Sequence, residues 1–494
     1  MKNKGQSETK KRKADKNQVY VLQNRWKIGR RRLVYYGIRK EPFTFRNSVA
    51  VSRSAKKKLQ KLDGVKTIGE IGLSRGLKRL IGQGIVVPKS EYRADVPNLN
   101  EAHFCRNCVA NDYLIPGLEL DENGLCPMCV KREKLKNLRA IMPAVESVPH
   151  NPKGEFDVAV FYTGGKDSSF LLYYLAKMNK CRVLSLTWET EYMSESARKS
   201  IENAKKALPE VTFLVQKIDK EIMARIYRKH FELAGNTCMC PAPAYVLFYP
   251  VLVEKRVPYL VLGNEPAQMH NLLFNNISPV FAFRPKWQAA GRFFFNLARI
   301  LSLKKPLKGG QMQMYFTVRG LAEGVPWGKS NEGNYQNEQV RNVHAALSCA
   351  PELMKPLRAS LKKSDRRALM PQFVHIDFND VADGYRWKEI KALLKEEIGW
   401  VDSAEENKGL HTSCKIEKCK EYTQFMRFRR MESRTIPFSA VELALAVGDG
   451  NVPREEALRE IERTTGFFGC PAEYAEMLKP LCFKEEGKGT EDGK

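Results

Sequence analysis

Residues 156–178 read FDVAVFYTGGKDSSFLLYYLAKM and contain the most informative pattern of the chain. The stretch begins with an apolar run that includes β-branched Val158 and Val160, as is typical of a buried strand. Two glycines follow, and Leu and Tyr then recur at the three- and four-residue steps of a helix. We therefore predict a strand, a glycine turn and a helix over these residues.

The turn has the composition of an anion-binding site. Its glycines, Gly164 and Gly165, allow backbone N–H groups to point into a concavity, and the positive end of the helix dipole lies behind them. Four side chains add donors suited to pyrophosphate oxygens, namely Thr163, Lys166, Ser168 and Ser169. The spacing differs from the G-x-x-x-x-G-K-[ST] phosphate loop. An ordinary tight turn into a helix is the alternative.

The charge of the 494-residue chain is unevenly distributed. Its formal net charge is +27, and residues 1–60 hold 19 Lys or Arg against 3 Asp or Glu. Arginines there alternate with aromatic residues such as Trp26, Tyr35 and Tyr36, a composition suited to a nucleic-acid backbone and its bases. RNA binding through residues 1–60 is one interpretation. A solvated basic face whose aromatics pack against a neighbouring element is the other.

Cysteine usage and hydropathy indicate a cytoplasmic protein. The chain has 12 cysteines, no signal-peptide pattern and no run of 18 apolar residues. In a reducing compartment cysteine pairs indicate metal or redox sites rather than structural disulfides.

A motif of four cysteines precedes the glycine turn, and it consists of Cys105, Cys108, Cys126 and Cys129. Its two C-x2-C pairs are separated by 17 residues, which lies in the range of zinc ribbons. Four thiolates can close a tetrahedron around Zn²⁺, and such a closed site is structural. An iron–sulfur cluster and two disulfides are the alternatives.

Strand and helix patterns alternate beyond residue 152. The predicted strands are 157–162, 182–188, 212–218 and 259–264, and a further strand covers 373–378. This alternation predicts an α/β fold with a doubly wound parallel sheet and ligand sites at the carboxyl ends of the strands. Trp188 ends the second of these strands and is an expected nucleotide contact.

The predicted divisions of the chain are a disordered basic tail (1–18), a basic accessory domain (19–100), the zinc ribbon (101–135), a nucleotide domain (150–265), a substrate or partner region (266–370), a continuation of the sheet with helices (371–484) and a tail (485–494). Within the substrate or partner region, residues 287–301 fit an amphipathic helix. A packed helix is favoured there, and covering a pocket, contacting a partner or touching a membrane surface are the alternatives.

Two further groups of cysteines lie outside the ribbon. Cys238 and Cys240 are two residues apart in a Gly- and Pro-rich loop, where a reactive pair and an inert buried pair are equally expected. His411, Cys414 and Cys419 have weak metal-ligand spacing, and a loop with incidental thiols is favoured for them.

The glycine turn resembles the PP-loop of the N-type ATP pyrophosphatase superfamily, whose signature is Ser-Gly-Gly-x-Asp-Ser, with Thr163 in place of the first Ser. The resemblance implies that Thr163, Gly164 and Gly165 shape the cradle and that Lys166, Ser168 and Ser169 hold pyrophosphate. Residues Gly263 and Asn264 resemble a loop of that superfamily that closes over ATP. The resemblance to the superfamily further implies that Asp167 and Glu265 are the carboxylates nearest Mg²⁺.

The order of motifs over residues 101–465 resembles the N-acetyl sugar amidotransferase family. After the ribbon and the PP-loop come HIDFND, a helix that ends in Gly399-Trp400, and PREEAL from Pro453. The resemblance implies an enzyme in which an acceptor oxygen attacks the α-phosphorus of ATP, so that AMP and pyrophosphate form and nitrogen replaces the activated oxygen. No glutaminase motif is evident in the sequence, so an amidotransferase would need a separate glutaminase subunit. The sequence does not determine the oligomeric state.

The sugar enzymes lack the cysteines found here at 238 and 240. This departure raises a second hypothesis, ATP-dependent sulfur transfer to RNA or a small molecule, in which Cys238 or Cys240 carries a persulfide or binds an iron–sulfur cluster. A nucleic-acid-binding protein that only senses nucleotide is the third hypothesis.

Overall fold

The computed structural model describes residues 14–40, 48–132, 145–264, 268, 285–324, 338–382, 384–402 and 414–464. Its strands are β1 (Tyr20–Leu22), β2 (Trp26–Ile28), β3 (Arg32–Tyr35), β4 (Ser48–Ala50), β5 (Val86–Pro88), β6 (Val158–Phe161), β7 (Val183–Trp188), β8 (Thr212–Gln216), β9 (Tyr259–Asn264) and β10 (Gln372–Asp377). Most of the predicted tails, Glu265 and His411 fall outside the described residues.

Helices account for most of the remaining described chain. They are α1 (Arg53–Leu59), α2 (Ile68–Ile71), α3 (Arg75–Gly82), α4 (Pro127–Val130), α5 (Lys166–Tyr173, continued by a π-turn over Tyr174–Met178), α6 (Glu195–Ala207), α7 (Lys220–Ala234), α8 (Ala242–Glu254), α9 (Pro285–Leu301), α10 (Gly309–Glu323), α11 (Glu338–Leu347), α12 (Pro351–Arg367), α13 (Phe378–Val381), α14 (Trp387–Ile398), α15 (Glu417–Arg429), α16 (Phe438–Asp449) and α17 (Arg454–Thr464).

The five strands predicted beyond residue 152 form one sheet in the order β10-β9-β6-β7-β8. Every pairing in it is parallel, with Val158 opposite Val183 and Val160 opposite Val261. Numbered along the chain within this sheet, the strands lie in the order 5-4-1-2-3, which matches the first five strands of a common doubly wound sheet read from its other edge. The prediction of an α/β protein with a parallel sheet is confirmed.

Alternate residues of the central strand enter two different cores. Val158 and Val160 pack with α5, α6 and α14, whereas Ala159 packs with α7, α8, α10 and α12. Side chains of a strand point alternately to the two faces of the sheet, so helices cover both faces. This double burial explains why the strand sequences are continuous apolar runs.

The N-terminal part has a core of its own. Strands β2, β3 and β4 form an antiparallel sheet, β1 pairs with β5, and α1 to α3 pack around them. Trp26 and Tyr35 are buried in this core, so their rings are not available for stacking on bases. The packed interpretation of these aromatics is therefore favoured over base contact. Arg25 joins this part to α15, because its guanidinium donates to the carbonyls of Phe428 and Arg429, each at 2.7 Å.

The four-cysteine segment packs directly on the sheet domain. Cys105, Cys108 and Cys126 belong to the same hydrophobic core as Val158. Arg454, at the start of α17, donates to the carbonyl of Cys108 at 3.2 Å and to that of Cys105 at 3.3 Å. The PREEAL motif therefore holds the first cysteine pair against the rest of the fold.

The described part of the region between β9 and β10 is helical. Helix α12 packs on α8, α10 packs on β10, and α11 packs on α7. Among the described residues, none of the helices is both long and apolar enough to cross a lipid bilayer.

Candidate functional site

The glycine turn lies at the carboxyl edge of the sheet, where strand order reverses. Strand β6 has β7 on one side and β9 on the other, and the turn follows it directly. Loops after neighbouring parallel strands diverge at such a point and leave a crevice, which is where open α/β sheets bind ligands. The glycine turn therefore lies at the edge of the sheet where the sequence analysis expects ligand sites, and the site itself stays a prediction.

Gly164 has a conformation that other residues rarely adopt. Its φ is +73°, and a Cβ added to it would lie 2.4 Å from the carbonyl oxygen of Ala197 in α6. The indole N–H of Trp400 donates to the carbonyl of Gly164 at 3.0 Å. The turn is thus fixed from two sides, by the first turn of α6 and by the Gly-Trp motif after α14.

Hydroxyl groups cluster at the open side of the turn. Thr163 Oγ1 and Ser168 Oγ are 3.1 Å apart, and the N–H of Thr163 donates to Ser168 Oγ at 3.2 Å. Gly165 is the N-cap of α5 and brings no capping side chain to the first-turn amides. An anion bound here would meet two hydroxyls and the positive end of a helix dipole.

Lys166 points away from this open side. Its side chain is buried, and its ammonium group donates to the carboxylate of Asp167 and, at 3.2 Å, to the hydroxyl of Tyr385. The ammonium also lies 4.2 Å from the ring centre of Tyr385 and 5.0 Å from that of Trp387. The expected contact of Lys166 with pyrophosphate would require this side chain to leave an aromatic pocket.

Asp167 lies at the centre of a polar network. Its Oδ1 accepts from the Tyr385 hydroxyl at 2.8 Å, and its Oδ2 accepts from Gln268 Nε2 at 2.9 Å. The same amide nitrogen donates to Glu442 Oε1 of α16 at 3.1 Å. Two carboxylates, Asp167 and Glu442, therefore face one amide. Oxygen ligands of this kind suit Mg²⁺, so Glu442 is a candidate that the sequence did not indicate.

Ser169 is placed differently from its neighbour Ser168. Its side chain is fully buried, and its hydroxyl points toward the Tyr162 hydroxyl at 3.5 Å. Tyr162 in turn donates to the carbonyl of Ser200 in α6 at 3.2 Å. Ser169 thus contacts the interior, and only Ser168 of the two serines lies beside the open turn.

The other predicted nucleotide contacts occupy the same edge of the sheet. Trp188 ends β7 and is half-buried. The next residue, Glu189, pairs with Arg198 and Lys217, and hydrogen bonds from these cations outweigh burial and hold the pKa of its carboxyl below the ordinary value. Gly263 packs tightly, since a Cβ there would lie 2.4 Å from the Phe378 ring. Asn264 ends β9 beside it.

Cys238 and Cys240 lie in the loop before α8 and interact with each other. A hydrogen bond from Cys240 lowers the pKa of Cys238, and Lys420 adds to this effect. The same contact raises the pKa of Cys240, whose side chain is exposed, well above its ordinary value. Cys414 lies close enough to Cys240 to interact with it electrostatically. It also forms a β-bridge with Met193, in the segment after β7. The thiols therefore lie at the same edge of the sheet as the glycine turn.

The four cysteines of the predicted ribbon converge on one point. Their sulfur atoms all lie within 4.8 Å of one another, with Cys105 and Cys129 3.8 Å apart and Cys108 and Cys126 3.7 Å apart. A tetrahedron with Zn–S bonds of about 2.3 Å has sulfur–sulfur edges of about 3.8 Å. The group can hold a metal ion such as zinc. A disulfide, with sulfurs about 2 Å apart, does not fit these distances.

The sequence motifs do not indicate the contacts that Tyr385, Trp400, Gln268 and Glu442 make at the turn. Trp400 belongs to the Gly-Trp motif, which gave a weak indication, whereas Gln268 and Glu442 belong to no motif.

No protein-family model matches this chain, and no curated protein matches it. The resemblance to the N-acetyl sugar amidotransferase family therefore stays a prediction.

Proposed function

We propose that this protein is an ATP pyrophosphatase that transfers AMP to a carbonyl-type oxygen of an acceptor. The acceptor oxygen attacks the α-phosphorus, the bond to the bridging oxygen breaks, and pyrophosphate leaves. The observation that carries the proposal is the glycine turn, with left-handed Gly164 and the paired hydroxyls of Thr163 and Ser168 at the strand-order reversal.

The turn suits a leaving group whose charge grows during the reaction. Donors that are already fixed in place stabilise this charge without reorganisation, which is how such sites lower a barrier. Thr163 and Ser168 would donate to pyrophosphate together with the first amides of α5. Asp167, oriented by Tyr385, would hold Mg²⁺ with Glu442, and Mg²⁺ would neutralise phosphate charge. Ammonia supplied by a separate glutaminase would then attack the activated carbon, the carbon–oxygen bond would break, and AMP would leave with the acceptor oxygen.

Zinc is the ion that we propose for the four cysteines. Arg454 and the shared hydrophobic core make the group part of the scaffold that supports the sheet. Its thiolates are all used in the tetrahedron, so the ion would be structural. Colourless protein with one zinc per chain is expected, whereas brown protein would indicate an iron–sulfur cluster.

The nucleotide products test the proposal. The full-length protein is incubated with ATP and candidate acceptors, and the nucleotides are identified by mass spectrometry. AMP with pyrophosphate is expected, and ADP would contradict the proposal. Ser168→Ala should lower AMP formation by about 10- to 100-fold, since it removes a donor at the turn. Ser169→Ala is the matched control, because its hydroxyl faces Tyr162, and it should retain most of the activity.

Sulfur transfer is a second candidate, favoured by the thiols at the same edge. The lowered pKa of Cys238 favours a thiolate, which is the nucleophilic form. Replacing Cys238 and Cys240 together by Ala should abolish turnover under this hypothesis and leave it unchanged under nitrogen transfer. Cys349→Ala, at an exposed thiol between α11 and α12, is the control. The nucleotide-sensing hypothesis gains no comparable support, since Trp26 and Tyr35 are buried.

A further inference from the structure

The outer face of α9 is an apolar surface. Of the eleven large apolar side chains that are exposed among the described residues, seven lie between residues 287 and 303, namely Trp287, Phe293, Phe294, Leu297, Ile300, Leu301 and Leu303. At about 100° per residue, those within the helix span an arc of about 140°. Phe294 is 67% exposed and Leu301 79%. Such a contiguous exposed face marks a site of interaction rather than scattered surface residues.

The opposite face fixes the helix on the domain. The Phe295 ring packs against those of Tyr315 and Phe316 in α10. Asn296 exchanges two hydrogen bonds of 2.8 Å with the backbone of Leu307. Arg299 is buried and donates to the Asp365 carboxylate at 2.5 Å. The side chains of Asn296 and Arg299 on the inner face thus have hydrogen-bond partners within the domain. The helix therefore presents its outer face in a fixed orientation.

The charges of the segment that carries this face have one sign. Residues 285–308 contain six Lys or Arg and no Asp or Glu. Lys286, Arg292, Lys305 and Lys308 are exposed. Asp365, against which the helix packs, is already paired with Arg299 and with Lys304 at 2.6 Å. A partner that covers this face must therefore be apolar at its centre and anionic at its rim.

We propose that the outer face of α9 docks on the surface of an anionic lipid bilayer. The aromatic and aliphatic side chains would enter the boundary between headgroups and acyl chains, while the lysines and arginines would contact lipid phosphates. An amphipathic helix with Trp, Phe and Leu on one side and basic residues beside them is suited to lie in the plane of such an interface. Docking would place the nucleotide domain at the membrane surface without a spanning segment.

A second copy of this chain is the competing occupant, and the charges disfavour it. Symmetric pairing of two α9 faces would bring the same residues together from both copies. The exposed basic side chains would then repel one another, because the segment offers no carboxylate to pair with them. A bilayer that contains acidic lipids supplies the missing negative charge.

Vesicle sedimentation tests the proposal with the full-length protein. Vesicles of phosphatidylcholine with an equal amount of phosphatidylserine should pellet the wild type, and vesicles of phosphatidylcholine alone should pellet it more weakly. Phe294→Glu combined with Leu301→Glu should lower the partition coefficient by about tenfold or more, because the change places two charges in the apolar face. Val65→Glu is the control, since Val65 is equally exposed but lies in the N-terminal part, and its partition should stay within about twofold of the wild type.

Trp287 reports directly on insertion. Its fluorescence should shift to shorter wavelength when anionic vesicles are added, and Trp287→Phe should remove that shift while the protein still pellets. Equal pelleting of the double variant and the wild type would overturn the proposal, since binding would then come from the basic N-terminal segment. Failure of the wild type to pellet with anionic vesicles would also overturn the proposal. If analytical ultracentrifugation then shows a dimer that the double variant loses, the face would be assigned to a second copy instead.

Discussion

Replacing Gly164 by Ala tests the geometry on which the proposed nucleotide site depends. At its φ of +73°, an Ala side chain costs about 1–2 kcal/mol relative to Gly. The new Cβ would also lie 2.4 Å from the Ala197 carbonyl oxygen, about 1 Å closer than ordinary van der Waals contact, and overpacking of this kind costs about 1–3 kcal/mol. The two costs together predict a loss of about 2–5 kcal/mol in the free energy of unfolding.

Urea unfolding measures this loss, and hydrogen exchange over residues 158–173 locates it. The exchange should quicken at the turn first, because the clash is relieved when the turn moves away from α6 or when the hydrogen bond from Trp400 to Gly164 breaks. ATP binding should weaken in parallel. Gly291→Ala is the matched control, since Gly291 lies within α9 with no heavy atom within 4 Å of the added Cβ. That change should stabilise the helix by up to about 1 kcal/mol.

Unfolding of Gly164→Ala at the same urea concentration as the wild type, with unchanged affinity for ATP, would contradict this prediction. Either the turn would then tolerate a side chain in the left-handed region, or it would not contact the nucleotide. A loss of stability without a loss of ATP affinity would distinguish these two explanations. It would confirm the contact between the turn and α6, and it would exclude the turn as the nucleotide site.

Three further predictions concern the metal and two buried carboxyl groups. Cys108→Ser should lower the zinc content, measured by elemental analysis, from one per chain to near zero, and should expose the three remaining cysteines of the group to thiol reagents. Burial raises the pKa of Glu421 to about 8, so the folded chain holds a proton that the unfolded chain releases above pH 4.5, and stability should fall as pH rises from 4.5 to 8. Glu421→Gln should abolish that trend and stabilise the protein by about 2–4 kcal/mol at pH 8, as chemical unfolding at several pH values would show. Burial opposes ionisation of Asp157, but hydrogen bonds from Arg182 outweigh it and hold the pKa of this carboxyl well below the usual range. Asp157→Asn should therefore lower the free energy of unfolding by about 2–4 kcal/mol at pH 7 and by less as the pH falls below 4, which is the opposite pH trend. If either variant keeps the wild-type dependence of stability on pH, the assigned direction of that pKa shift is contradicted.

The local elements were predictable because their causes are local. Strand β9 was predicted over 259–264 and is observed over those residues, since a strand buried on both faces must be apolar throughout. The four-cysteine group was predictable because short knuckles bring cysteines together whatever surrounds them. The packing of Trp26 and Tyr35 was not decided by their sequence, because a basic aromatic segment suits a nucleic acid as well as a core.

Local sequence is sufficient to predict that a glycine turn joins a strand to a helix and that four cysteines can hold a metal, because these features depend mainly on neighbours within a few residues. Tertiary structure alone decided that the Lys166 ammonium enters an aromatic pocket, that Trp400 holds Gly164, and that Gln268 bridges Asp167 and Glu442. It also decided which face of α9 remains exposed. Each of these outcomes depends on residues that are distant in the chain, and their positions are set only when the helices pack on the sheet.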